Sequence, residues 1–217
     1  MSYDVEAFDN IAYGKHMMDV MAKWMNEEGG YACFVGHLTS TTHNEWVDGE
    51  IMQQEEKYPN MTLVEDRLED QEDQQLDRQK ALELLAKYPD LKGIMGSAMS
   101  GVPGFSQAIE EKGRIGKTAA FGTCLPSVAG DYIKSGAAQS IHFWVPSDAA
   151  YVTAYVAYQM LLGNEITEGM NLQRPGYESI TIKQNDAGEN VIYGQAWQDV
   201  NVDNLDEWID ENGDYKL

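Results

Sequence analysis

The sequence predicts an α/β protein built on a doubly wound, mostly parallel sheet flanked by helices. Three observations carry that reading. Short apolar runs stop at glycine or at a polar loop, stretches of helical periodicity separate them, and the two alternate from Asn10 to Leu162.

From Asn10 the apolar residues Ile11, Met17, Met18, Met21 and Met25 recur at helical spacing, until Glu27, Glu28, Gly29 and Gly30 break the pattern. Tyr31 to Gly36 is a short apolar run closed by glycine, a buried strand of the kind parallel sheets use. The loop from His37 to His43 leads into a second helix. The series continues with strand Met61 to Val64, helix Gln71 to Tyr88, strand Gly93 to Met95, helix Pro103 to Lys112, strand Thr118 to Gly122 and helix Pro126 to Ser135. Strand Ser140 to Trp144 and helix Ser147 to Leu162 close it. Beyond Gly163 the rhythm changes to two short strands, Glu178 to Lys183 and Asn190 to Gly194, around a turn at Asn185, Asp186, Ala187 and Gly188. The polar run Glu65 to Gln79 reads as a solvated loop and helix face, and the last twenty residues are acidic.

Composition narrows the function classes. With 36 acidic against 15 basic residues, the net charge of -21 repels nucleic-acid phosphates and anionic lipid surfaces. The most apolar stretch, Ala149 to Leu162, is interrupted by Tyr, Thr and Gln and is too short to span a membrane. The first residues lack the basic start and apolar run of a secretory signal. Cys33 and Cys124 both sit in apolar runs and read as buried free thiols, without a disulfide framework. There is no glycine cradle for a nucleotide, and His16, His37, His43 and His142 are scattered with no metal-ligand spacing, so neither cofactor nor metal is expected.

In open parallel sheets, ligands bind beyond the carboxyl ends of the strands. The loops expected there carry Thr42, His43 and Asn44, then Ser97 and Met99, then Cys124 and Leu125, then Trp144. Hydroxyls and an amide both donate and accept hydrogen bonds, and an indole offers a flat apolar face, which together suit a neutral polyol. Serine and threonine at such positions also cap helices. A thiol–imidazole pair of Cys124 with His43 or His142 is the one catalytic arrangement available, and no spacing supports it; no enzyme is expected.

The segments AFDNIAYGKHM, TSTTHNEWVDG, GSAMSGVPGFSQAIEEKG, FGTCLPSVAGDYIKSG and IHFWVPSDAAYVTAYVA, in this order, resemble the sugar-binding receptors of bacterial ABC importers. Within that periplasmic-binding-protein-like superfamily the likeness is closest to the autoinducer 2 and rhamnose receptor branch, through the phrase around Trp144. Thr42 and His43 stand where the autoinducer branch tends to have Asp and Gln, and Ser97 and Met99 where it tends to have Pro and Ala; these departures point away from the autoinducer itself. The resemblance implies a sugar-like ligand held by the eight residues named above, an ABC permease as partner, no catalysis, and a periplasmic or extracytoplasmic setting.

It also implies a single C-terminal lobe: residues 1–10 as a hinge crossing, 11–165 as the lobe, and 166–217 as a β appendage, hinge return and acidic tail. The family's first lobe would precede this chain. A lone lobe is expected to bind sugar weakly or not at all; the alternative is a one-lobe interaction protein that pairs with itself as a homodimer through its exposed hinge surface, without transport. If the shortness is natural, the absence of a signal implies a cytoplasmic protein.

Overall fold

The computed structural model describes residues 2–185 and 187–217. Met1, at the head of the predicted segment 1–10, and Asp186, in the predicted turn 185–188, lie outside the described residues. The elements follow the predicted alternation: β1 (Tyr3–Glu6), α1 (Asn10–Met25), β2 (Gly29–Val35), α2 (Thr41–Lys57), β3 (Met61–Glu69), α3 (Gln74–Lys87), β4 (Gly93–Gly96), α4 (Gly101–Glu111), β5 (Ala119–Thr123), α5 (Pro126–Ser135), β6 (Ala138–Trp144) and α6 (Pro146–Leu161), then β7 (Thr181–Gln184), β8 (Asn190–Tyr193) and β9 (Trp197–Val200). No helix among the described residues is long and apolar enough to cross a membrane.

The chain packs as two units. The larger comprises Asn10–Phe143 and Asp199–Leu217, the smaller Met1–Asp9 and Trp144–Gln198, and the chain passes between them after Asp9, Phe143 and Gln198. Helix α6, which the sequence reading assigns to the lobe, packs in the smaller unit.

In the larger unit the six-stranded sheet runs β3-β2-β4-β5-β6-β9. β2 pairs parallel with β3 and β4, and β4–β5 and β5–β6 are parallel as well. Alternation along β2 divides the core. Ala32 and Phe34 face α3 and α4, in a cluster with Leu84, Ile94, Phe105 and Ile109. Tyr31 and Cys33 point the other way and reach Gln54 and Glu50 of α2. Helices therefore cover both faces, which is why the strands read as continuous apolar runs.

Helices α1 and α2 touch backbone to backbone. A Cβ on Gly14 would lie 1.9 Å from the carbonyl oxygen of Trp46, and one on Gly49 would lie 2.3 Å from that of Ile11. Only glycine permits this approach. It brings the Trp46 indole N–H to Asn10 Oδ1 at 2.8 Å and sets the ring edge-on to Tyr13 at 5.1 Å.

Strand β3 extends to Glu69, beyond the predicted end at Val64, so the first third of the polar run is strand and not loop. Main-chain pairing with β2 continues through Glu65↔Ala32 and Glu69↔Val35, while the irregular register and positive φ of Arg67 mark a bulge. Edge position explains the polar composition. Helix α3 begins at Gln74 and not Gln71, because Asp73 accepts hydrogen bonds from the amides of Gln75 and Leu76 and caps it there. β1 and β9, both strands, fall in segments read from the sequence as hinge crossings.

In the smaller unit β8 lies between β1, its parallel partner, and β7, its antiparallel partner. Val152 and Val156 of α6 pack with Ile166, Leu172, Tyr177 and Ile192. Arg174 stacks on Tyr151, 3.6 Å from the ring centre, and pairs with Asp148 at 3.2 Å.

Two outcomes follow from the α1–α2 face. Gly14→Ala forces the helices apart and lowers stability by about 1–3 kcal/mol, the usual cost of overpacking, as measured by urea unfolding. Glu50 is fully buried, accepts the Cys33 thiol at 3.1 Å, and is pushed up to about 8 by burial. The folded state keeps a proton that the unfolded chain loses near the ordinary value of 4.5. Stability therefore falls as pH rises from there towards about 8 and then levels off. Glu50→Gln makes that segment of the stability–pH curve shallower, leaving the part that Asp77, likewise pushed up to about 8, contributes; an unchanged slope contradicts the assignment.

Candidate functional site

Strand order places a topological switch point between β2 and β4. The chain leaves β2 for the edge strand β3, then returns through α3 to the opposite side of β2, so the loops after β2 and β4 diverge. In open parallel sheets a switch point of this kind, at the carboxyl ends of the strands, is where ligands bind.

The loop after β2 is held from both sides. The Gly36 amide donates to His43 Nδ1 at 3.1 Å, and a Cβ on Gly36 would come within 2.9 Å of Glu72 Oε1. The Leu38 amide donates to Glu69 Oε1 at 3.0 Å. Because Nδ1 of His43 accepts, its proton resides on Nε2. That N–H makes no hydrogen bond among the described residues. Burial lowers the His43 pKa, opposed by nearby Glu72, so the ring is a neutral donor. Its plane lies against Trp46 at 5.3 Å.

Asn44 is also held by protein partners. Its amide donates to the carbonyls of Leu38 (3.0 Å) and Ser40 (2.7 Å) and accepts from Arg67 Nε (3.0 Å), so it ties the loop to the start of α2 and to β3. Thr42 is exposed on the first turn of α2.

The neighbouring strand ends continue the rim. The Ser97 amide donates to Phe34 O at 3.1 Å, which locks the loop after β4 beside β2. The Ser97 side chain is 2% exposed, and its Oγ has no hydrogen-bond partner among the described residues. Met99 is 48% exposed. The Cys124 thiol donates to Met99 O at 3.4 Å, linking the loops after β4 and β5, and burial pushes it up to about 12. A thiol so held is a poor nucleophile. Leu125, half-buried, caps α5 in an extended conformation. The structure thus brings together the predicted residues after β2, β4 and β5. Trp144 falls in the smaller unit, where its indole packs edge-on against Phe8 at 5.7 Å.

Sequence reasoning missed the carboxylates at the end of β3. Asp70 and Asp77 are buried together, and Asp77 is pushed up to about 8 by burial and by the neighbouring Asp70. A buried acid inside a polar run looks like any solvated one in a sequence. His16 and His142, read as scattered, meet at Asp199 on the α1 face of the sheet.

The sequence profile of the periplasmic binding protein domain matches residues 2–165. Among solved structures, a sugar ABC transporter from Actinomyces odontolyticus is 20% identical with a TM-score of 0.79, covering 94% of this chain and 65% of its own. An ABC transporter solute binding protein from Clostridium phytofermentas with bound L-rhamnose is 21% identical with a TM-score of 0.79, over 94% and 66%. LsrB from Clostridium saccharobutylicum in complex with AI-2 is 18% identical with a TM-score of 0.77, over 95% and 69%. At these identities the likeness is one of fold. The chain spans just under two thirds of the length of the first two.

Proposed function

The chain belongs to the periplasmic binding protein domain family, and from that premise we propose that it is the solute-binding component of a sugar uptake system, working outside the cytoplasm and without catalysis. What supports this reading is a neutral imidazole donor (His43) and a hydroxyl (Thr42) following β2, and a buried unpartnered hydroxyl (Ser97) and an exposed thioether (Met99) following β4, on the two sides of the switch point. These groups match a polyol, which presents alternating hydroxyls and C–H faces and no charge. The ligands in the related structures, L-rhamnose and D-allose among them, are of that class. Cys124, Leu125 and Asn44 complete the rim. An ABC permease is the partner this function requires.

Binding by this chain alone is weak on this reading. Receptors of this kind take most of a sugar's surface out of water by closing around it, and the chain spans just under two thirds of the first two relatives' length. Calorimetry against L-rhamnose, D-allose, arabinose, galactose and AI-2 is expected to give one ligand in the millimolar range, about -4 kcal/mol. His43→Ala abolishes that heat. Absence of heat for every sugar contradicts the sugar assignment, and micromolar affinity contradicts the weak-binding clause.

A second reading, a self-associating interaction protein without transport, is favoured by helix α6. From Ala149 to Leu161 it carries no charged residue, and Tyr151, Tyr158 and Leu161 are 36%, 56% and 86% exposed. Light scattering separates the readings. A dimer that persists with every sugar and dissociates in Tyr158→Lys favours self-association, whereas a monomer with sugar-dependent heat favours the receptor.

A further inference from the structure

We propose that His16, His142 and Asp199 form a binding site for a divalent transition-metal ion of the zinc class, on the α1 face of the larger unit's sheet. The three residues come from α1, β6 and β9, separated by 57 and 183 positions, yet their ligand atoms all lie within 4.8 Å of one another. His16 Nε2 is 2.9 and 2.8 Å from the two carboxylate oxygens of Asp199, and His142 Nδ1 is 2.7 Å from Oδ1. The two rings stand nearly perpendicular, 5.7 Å apart.

Two imidazoles and one carboxylate are the donor set of borderline divalent ions, and they leave coordination positions open for water. Metal–ligand bonds of about 2.0–2.1 Å place neighbouring donors roughly 3.3 Å apart in a tetrahedron, so the two His–Asp spacings must open by about half an ångström while the two imidazole nitrogens, within 4.8 Å of one another, settle to the same separation. His142 is fully buried and fixed; the side chain of His16, 25% exposed, supplies the movement.

The cluster opens into a cavity of about 550 Å³ that is lined, besides His16 and Asp199, by Asp19, Asp203, Asn201 and Ser140. Room and polar partners for bound water are therefore present. The Ser140 side chain is 2% exposed, and its Oγ has no hydrogen-bond partner among the described residues. Ser140 and His142 alternate along β6 and share the face towards α1. The rest of the lining includes Val20, Trp24, Phe121 and Val202, so an unpartnered buried hydroxyl on that wall is costly unless something in the cavity engages it, and a metal-bound water does so. Three carboxylates, Asp19, Asp199 and Asp203, outnumber the single Lys23 on the lining, which gives the cavity the sign a cation requires.

The site is distinct from the strand-end rim, and its test does not depend on sugar binding. Cobalt(II) is titrated into the purified chain in excess magnesium, which saturates the surface carboxylates of this acidic protein, and visible absorption reports nitrogen–oxygen ligation directly. One equivalent is expected to develop ligand-field bands that zinc then quenches. His16→Ala and Asp199→Asn, with the fold checked by circular dichroism, weaken binding by more than about 10-fold, the loss that even an outer-sphere partner causes. Cobalt that binds without such bands, or equally well to a folded His16→Ala variant, overturns the proposal and leaves a hydrogen-bonded His–Asp–His cluster.

Discussion

Parallel pairing of β2 with both β3 and β4 is the constraint from which the larger unit's surface chemistry follows. A strand in that position sends its chain to one side and receives the returning chain on the other, so two loops part at its carboxyl end. Main-chain groups at that parting must still be satisfied. The structure meets the need locally: the Gly36 amide turns to His43, and the Ser97 amide to Phe34 O. Side chains adjacent to these bonds inherit fixed positions without having to supply them. His43 is held as a neutral donor by the same hydrogen bond that closes the loop, so a structural requirement also sets its tautomer.

Much of this was legible in the sequence, for identifiable reasons. Apolar runs such as YACFV betray strands buried on both faces, and the methionine spacing of α1 betrays a helix against them. Loop order along the chain then located Thr42, His43, Ser97, Met99 and Cys124 near one rim. What failed was anything set by pairing at the edges. Glu65 to Glu69 looks like loop because an edge strand can afford polar side chains, and only main-chain bonds to β2 reveal it. The engagement of the Asn44 amide with Leu38, Ser40 and Arg67 was likewise invisible, because an amide's partners are not written in a sequence. The buried Asp70–Asp77 pair was hidden by its polar neighbours in the chain.

The glycines on α1 and α2 show how fold and site are joined. Without side chains at Gly14 and Gly49, the two backbones meet closely enough for Trp46 to bond Asn10 and to support His43 with its ring face. Widening the gap would release the indole, and with it the wall behind the imidazole. The position of the His43 ring therefore depends on packing some distance from it.

Strand β6 carries a signal that a reading for strand and helix alone passes over. Along Ser140, Ile141, His142 and Phe143 the polar residues occupy alternate positions, yet Ser140, Ile141 and His142 are all buried. Alternation of this type usually marks one wet face, but helix α1 covers that face, so the polar side chains must find partners inside. Asp199 provides one for His142 from β9. Ser140 has none among the described residues. A strand that keeps two polar groups on a covered face, one paired with a carboxylate and one open to a cavity, is hard to explain by packing alone, since alanine and valine would fill the same positions without the desolvation penalty. The pattern is instead what a small polar guest requires.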